Sequence, residues 1–135
     1  MTPPISGAVS GSVRIWLRLE GLAAATAAVY LYAHGGHSWI LFAALFLAPD
    51  LSFAAYLAGP RVGAAAYNAL HSYLGPLALA VALLAAGASP ALALIWAAHI
   101  GFDRTLGYGL KYPTNFGDTH LGTIGRRAAE SRGAT

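Results

Sequence analysis

The chain has 135 residues, of which 57% are hydrophobic and 10% charged, with a formal net charge of +3 and no cysteine. Soluble domains carry about 25% charged residues, so this composition is too poor in charge for a water-solvated surface, and it leaves no room for a second domain. Without cysteine there are no disulfides or thiolate sites, and a metal would have to be held by His and carboxylates. The positive charge does not point to nucleic acid. Arg14, Arg18, Arg61, Lys111, Arg126, Arg127 and Arg132 sit at the ends of apolar stretches or in the tail, where phospholipid headgroups are the natural anionic partner.

Residues 1–13 are small and polar with paired prolines, and are expected to form a flexible N-terminal segment. Four apolar windows follow: Ile15–Ala33, Trp39–Ala58, Ala64–Ala86 and Ala91–Leu110. Each has about 19–23 residues, enough for a helix to cross roughly 30 Å of hydrocarbon. The first is too long for a cleaved secretory signal, whose apolar core runs about 7–15 residues, and Glu20 interrupts it. Short links at His34–Ser38, Gly59–Arg61 and Gly87–Pro90 join the windows, so neighbouring helices run antiparallel. Pro49 should kink the second helix just before Asp50. Gly21 with Ala25, and Ala24 with Ala28, allow close backbone approach.

The links at His34–Ser38 and Gly87–Pro90 contain no Lys or Arg, whereas the other ends are basic; this bias places both termini in the cytoplasm. A Gly- and aromatic-rich stretch, Gly107–Gly125, reads as an ordered cytoplasmic juxtamembrane segment, with Tyr108, Tyr112 and Phe116 at headgroup depth. The expected organisation is therefore a flexible segment over 1–13, a four-helix transmembrane domain with its juxtamembrane segment over 14–125, and a solvated tail over 126–135. The fold class is an all-α integral membrane protein of four antiparallel transmembrane helices, with both termini inside.

Every window carries a titratable group. Ionisable side chains in hydrocarbon are costly, face the bundle interior and commonly mark a site. Counted inward from the cytoplasmic ends, Glu20, Asp50, His71, His99 and Asp103 fall about 8–16 Å deep at the helical rise. Antiparallel helices could have scattered them over both leaflets, yet they share one layer. His99 and Asp103, four residues apart, share a face, as do Tyr67, Asn68 and His71. Arg104 points elsewhere and has Glu20 or Asp50 as its obvious partner. Asn68 suits an interhelical hydrogen bond, and His34 and His37 belong to the external link.

Such a layer supports two readings. Asp50, His71, His99, Asp103 and Glu20, with His120 folding back, form a donor set for a divalent metal (Zn, Fe or Mn), of the kind bundle cores use. Asp50, His99 and Asp103 would then be catalytic, with a metal-activated water attacking a lipid-like substrate. The Glu-x-x-His spacing of soluble di-iron bundles is absent. Alternatively the layer is a structural network of hydrogen bonds and salt bridges in a non-enzymatic accessory subunit, whose partners are other membrane subunits. Membrane lipids are expected neighbours in both.

The polar positions also carry a resemblance. Arg18-x-Glu20, Pro49-Asp50-Leu51-Ser52, Tyr67-Asn68-x-x-His71, the run His99-x-x-x-Asp103-Arg104-x-Leu106-Gly107-Tyr108-Gly109-Leu110-Lys111-Tyr112 and Thr119-His120-Leu121-Gly122 resemble a small bacterial membrane family catalogued as domain of unknown function 4260. The resemblance covers about residues 14–122, and Asp103–Tyr112 is its most specific part. It implies a compact four-span protein of the bacterial inner membrane and supplies no reaction.

Overall fold

An Ala- and Leu-rich sequence forms helix wherever Pro and Gly permit, and the breaks in this chain fall at those residues. A computed structural model describes residues 7–124. The helices are α1 (Gly11–His34), α2 (Trp39–Leu45), a 3₁₀ helix (Ala48–Ala58), α3 (Pro60–His71), α4 (Leu74–Ala85) and α5 (Ala91–Leu106). A two-residue hairpin follows, pairing β1 (Asp118–Thr119) with β2 (Gly122–Thr123) in antiparallel register. The tail expected at 126–135, the last juxtamembrane residue and the first six residues of the N-terminal segment lie outside the described residues. Within that segment, helix already begins at Gly11.

Pro49 changes the type of helix rather than merely bending it. Proline has no N–H, and the Asp50 N–H bonds the Leu47 carbonyl at 3.0 Å, three residues back, instead of the Phe46 carbonyl four back. The tighter winding continues to Ala58, although 3₁₀ runs seldom exceed 3–4 residues. Together Trp39–Ala58 make one 20-residue stretch long and apolar enough to cross a membrane.

The third window is broken, where a continuous helix was expected. Pro76 cannot accommodate the carbonyl four residues before it, at Ser72, and the chain bends by 43° between α3 and α4. Only as a bent pair do these two helices make a second stretch apolar and long enough to span. The fourth window also ends early. Gly107 adopts φ 91°, its N–H bonds the Arg104 carbonyl (3.0 Å), and the Tyr108 N–H bonds the Asp103 carbonyl (2.8 Å). That pair of bonds is the Schellman termination, which favours glycine at the left-handed position. α5 thus has 16 residues, about 24 Å of helix. The fold is helical as expected, and among the described helices one stretch, or two counting the bent pair, is long and apolar enough to cross a membrane.

The main helix–helix contact is α1 against α5. A Cβ placed on Gly101 would lie 2.6 Å from the Ala25 backbone nitrogen and 2.7 Å from the Gly21 carbonyl. The expected small-residue spacing of Gly21 and Ala25 therefore meets its complement in Gly101. Towards the far end, Tyr32, Ala91 and Ile95 form a buried apolar cluster flanked by Phe42, Leu45 and Leu94. There the link after α1 meets the link before α5 through a 3.3 Å hydrogen bond between His37 Nε2 and Ser89 Oγ. At the opposite end the segment after α5 folds back over the helices, burying Thr119 and Leu121, and the Val9 N–H bonds the His120 carbonyl at 2.9 Å.

Because the obstacle at Gly101 is backbone on both helices, Gly101→Ala should lower stability by about 1–3 kcal/mol, the usual cost of overpacking. Thermal unfolding in detergent should show the drop; an unchanged midpoint would mean that α1 and α5 do not meet there.

Candidate metal centre

The break after α3 creates the site. A helix that stops leaves its last carbonyls without partners, and two of those of α3 are met by side chains of α5. Trp96 Nε1 donates to the Leu70 carbonyl at 2.7 Å, and Arg104 Nη2 donates to the His71 carbonyl at 2.7 Å. Arg104 Nη1 bonds the Tyr108 carbonyl at 2.8 Å, so one buried guanidinium joins the end of α3 to the turn after α5. Arg18 Nε of α1 caps α5 through the Thr105 carbonyl at 2.8 Å. Arg104 thus binds main-chain carbonyls rather than the expected Glu20 or Asp50.

With α3 and α5 fixed in this way, four side chains meet. Asp50 comes from the 3₁₀ helix, His71 from the end of α3, and His99 and Asp103 from successive turns of α5. One ligand atom from each lies within 4.8 Å of all the others. His71 Nε2 is 3.1 Å from Asp50 Oδ1, 3.1 Å from His99 Nε2 and 3.5 Å from Asp103 Oδ2. His99 Nε2 is 3.3 Å from Asp50 Oδ1 and 3.2 Å from Asp103 Oδ2. Both imidazoles are buried; the Asp103 side chain is 12% exposed and that of Asp50 32%.

The tautomer of His71 is decided by its other nitrogen. Nδ1 lies 2.9 Å from the Tyr67 carbonyl, which can only accept, so Nδ1 carries the hydrogen and neutral Nε2 carries a lone pair. That lone pair faces a second imidazole nitrogen and two carboxylate oxygens. Such a set is self-repelling until a cation or a shared proton occupies its centre. For His99, the change of helix type at Pro49 leaves the Phe46 carbonyl without an N–H four residues ahead, and this carbonyl acts on the His99 ring. His99 Nδ1 itself is buried without a well-formed hydrogen bond. Tyr67 stacks on His71 at 3.7 Å, and Phe46 meets His99 edge-on at 5.3 Å.

These residues fit a divalent ion. Ligands about 2.0–2.1 Å from a tetrahedral metal are about 3.3 Å apart, and the five distances above run from 3.1 to 3.5 Å. Two nitrogens and two carboxylates suit Zn, Fe or Mn. Metal-bound histidines usually donate their second N–H to a carbonyl or carboxylate, as His71 does to Tyr67.

Glu20 and His120 stand apart from the four. Glu20 is exposed, and with Arg104 and His120 it lines a separate cavity of about 390 Å³. His120 Nδ1 accepts the Leu110 N–H at 2.8 Å. Burial, with the nearby Arg104 charge, holds its pKa below the usual histidine value, which favours the neutral form that accepts this bond.

Several residues of the site carry no strong sequence signal. A second cavity, of about 290 Å³, adjoins the cluster at Asp50 and Asp103 and is also lined by Tyr67, Phe53, Lys111 and Phe116 among others. Asn68 reaches not another helix but the backbone of Lys111, accepting its N–H at 2.6 Å and donating to its carbonyl at 2.8 Å. Lys111 Nζ bonds the Phe116 carbonyl at 2.7 Å and lies over the rings of Phe116 and Tyr67, 3.7 and 4.8 Å from their centroids. Burial pulls its pKa down to about 8, against a weaker opposing pull from Asp103.

If the cluster holds metal, His71→Ala and His99→Ala should each weaken its binding by more than the roughly 10–100-fold typical of supporting residues. Elemental analysis of purified variants checks this; metal retained in both would remove them from the ligand set. For Lys111 the sign follows from its lowered folded pKa. Between about pH 8 and its ordinary 10.5 the unfolded chain keeps a proton that the folded chain has lost, so stability rises with pH across that window. Urea titrations from pH 7.5 to 10.5 should show this rise in the wild type and a smaller one in Lys111→Met.

No curated protein and no solved structure matches the chain. A family model does match, over residues 14–124, which spans the helices, the four clustered residues and Lys111. The chain belongs to the family described as Domain of unknown function (DUF4260).

Proposed function

We propose that this is a four-span protein of the bacterial inner membrane with both termini in the cytoplasm, and that its cluster is a divalent-metal centre hydrolysing a lipid-like substrate. The observation that carries the reading is the meeting of Asp50, His71, His99 and Asp103 within 4.8 Å, with the His71 Nε2 lone pair facing the other three groups. Membrane residence is supported by the apolar exterior: Leu57 is 94% exposed and Ile40 84%, with Leu51, Leu74 and Trp16 also turned outward. Patches of this kind are rare on soluble monomers. α1, with 24 residues, reaches across a bilayer at about 36 Å. In this reading the shorter α5 sits behind it with its charged end at the cytoplasmic face.

A divalent ion held here would polarise an ester or phosphoryl oxygen and bring the pKa of water to about 7. The protein's part is orientation and proton transfer. Tyr67 holds the His71 tautomer. With His71, His99 and Asp103 holding the ion and its fourth position left to water, Asp50, the most exposed of the four and a wall of the adjoining cavity, takes the proton of the attacking water. It returns that proton to the leaving oxygen as the new bond to the substrate forms and the old one breaks. The ring faces of Tyr67, Phe53 and Phe116 keep the cavity largely apolar.

The test uses detergent-purified protein incubated with a bacterial lipid extract and analysed by mass spectrometry. Metal-loaded wild type should release a hydrolysed lipid; chelation should stop release and added Zn, Fe or Mn restore it. Asp50→Ala should reduce turnover by at least about 100-fold, within the range for a lost proton-transfer group. Should the wild type hold no stoichiometric metal even after add-back, while His99→Ala and Asp103→Asn only lower stability, the structural network of an accessory subunit is the correct account.

A further inference from the structure

The cavity beside the cluster contains a cation that the hydrolytic reading does not use. Lys111 is 5% exposed and lines the same cavity as Asp50 and Asp103. Among the described residues Nζ has one hydrogen-bond acceptor, the Phe116 carbonyl, and no carboxylate within ion-pair distance. An ammonium has three N–H donors. The rings of Phe116 and Tyr67 offset part of its charge, and an anion would complete the rest.

Its placement is rigid. Asn68 grips both backbone groups of Lys111, and Asn68 is on α3, the helix that carries His71. The aromatic faces of Phe116 and Tyr67 fix the far end of the side chain. The charge therefore stands at a set position relative to the four ligands, as a preorganised electrostatic site requires.

We propose that this cavity takes a single monoanionic phosphodiester, that of a lipid headgroup, with Lys111 as the residue that receives its charge. The inference rests on the metal-centre reading. A divalent ion cancels the two carboxylates and the imidazoles are neutral, so the loaded site keeps one net positive charge, that of Lys111. Without the ion, Asp50 and Asp103 would repel an anion. A volume of about 290 Å³ is at the small end of ligand cavities; it suits a headgroup and leaves the acyl chains outside, against the apolar helix faces. Zwitterionic headgroups bring a second, positive group that Lys111 and the ion both disfavour.

Full-length protein in detergent, loaded with Zn and checked by elemental analysis, is titrated in native mass spectrometry. The probes are dihexanoylphosphatidylglycerol, dihexanoylphosphatidylcholine and dimethyl phosphate. Wild type should bind the glycerol lipid at least about tenfold more tightly than the choline lipid. Lys111→Gln should lose about tenfold or more for the glycerol lipid, and Lys111→Arg should retain most of it. Lys111-dependent binding of dimethyl phosphate at equal strength would give a soluble phosphodiester as the source and overturn the lipid assignment. Metal-loaded protein whose lipid binding ignores Lys111→Gln overturns the inference and leaves the metal centre standing. Wild type that takes up none of Zn, Fe or Mn overturns both.

Discussion

His71 Nε2 is the atom around which the rest is arranged. Because Nδ1 gives its hydrogen to the Tyr67 carbonyl, Nε2 must present a lone pair, and it presents it to His99, Asp50 and Asp103 at 3.1–3.5 Å. Two carboxylates and an imidazole lone pair crowded into a low-dielectric interior are unfavourable unless a proton or a cation lies between them. A central cation turns the same geometry from repulsive to attractive. The surrounding packing is close: Tyr67 stacks on one imidazole and Phe46 meets the other edge-on.

That packing depends on two irregular helices. Pro49 winds the second helix tighter and releases the Phe46 carbonyl towards His99; Pro76 breaks the third and leaves His71 at a helix end. Irregular backbone at membrane depth is tolerated when neighbouring protein groups satisfy it. Trp96 and Arg104 do so here, each with a single 2.7 Å bond to a freed carbonyl. Arg104 therefore serves the site by holding backbone, although it lies next to the ligand Asp103 in sequence.

What was legible in the sequence follows from this. The spacing of His99 and Asp103 survives any packing, since it is internal to one helix. Depth alone singled out Asp50 and His71, because short links prevent the helices from sliding far. The limits of the spans were harder to read. Window length counts Ala64–Ala86 as one helix, and Pro76 carries the break only if proline is weighed above hydropathy. Gly107 likewise ends α5 four residues before the apolar window does. The true partners of Arg104 could not be read at all, since the His71 carbonyl is free only after the break exists. Glu20 shared the depth of the layer but not its facing, which a rise per residue does not report. Lys111 read as a basic residue at a span end, and its burial depends on Asn68 43 positions away.

The Asn68–Lys111 clamp also has a bearing on the order of biosynthesis. Asp50 and His71 leave the ribosome before α5, and the segment bearing Lys111 comes after it. A half-made chain thus has two of the four clustered side chains and no closing wall, and α1 waits for Gly101 to reach its own Gly21. On the metal-centre reading proposed above, capture of the ion is consequently a late event. The segment after α5 supplies one wall of the cavity, so on that reading an ion is enclosed only once this segment has been made.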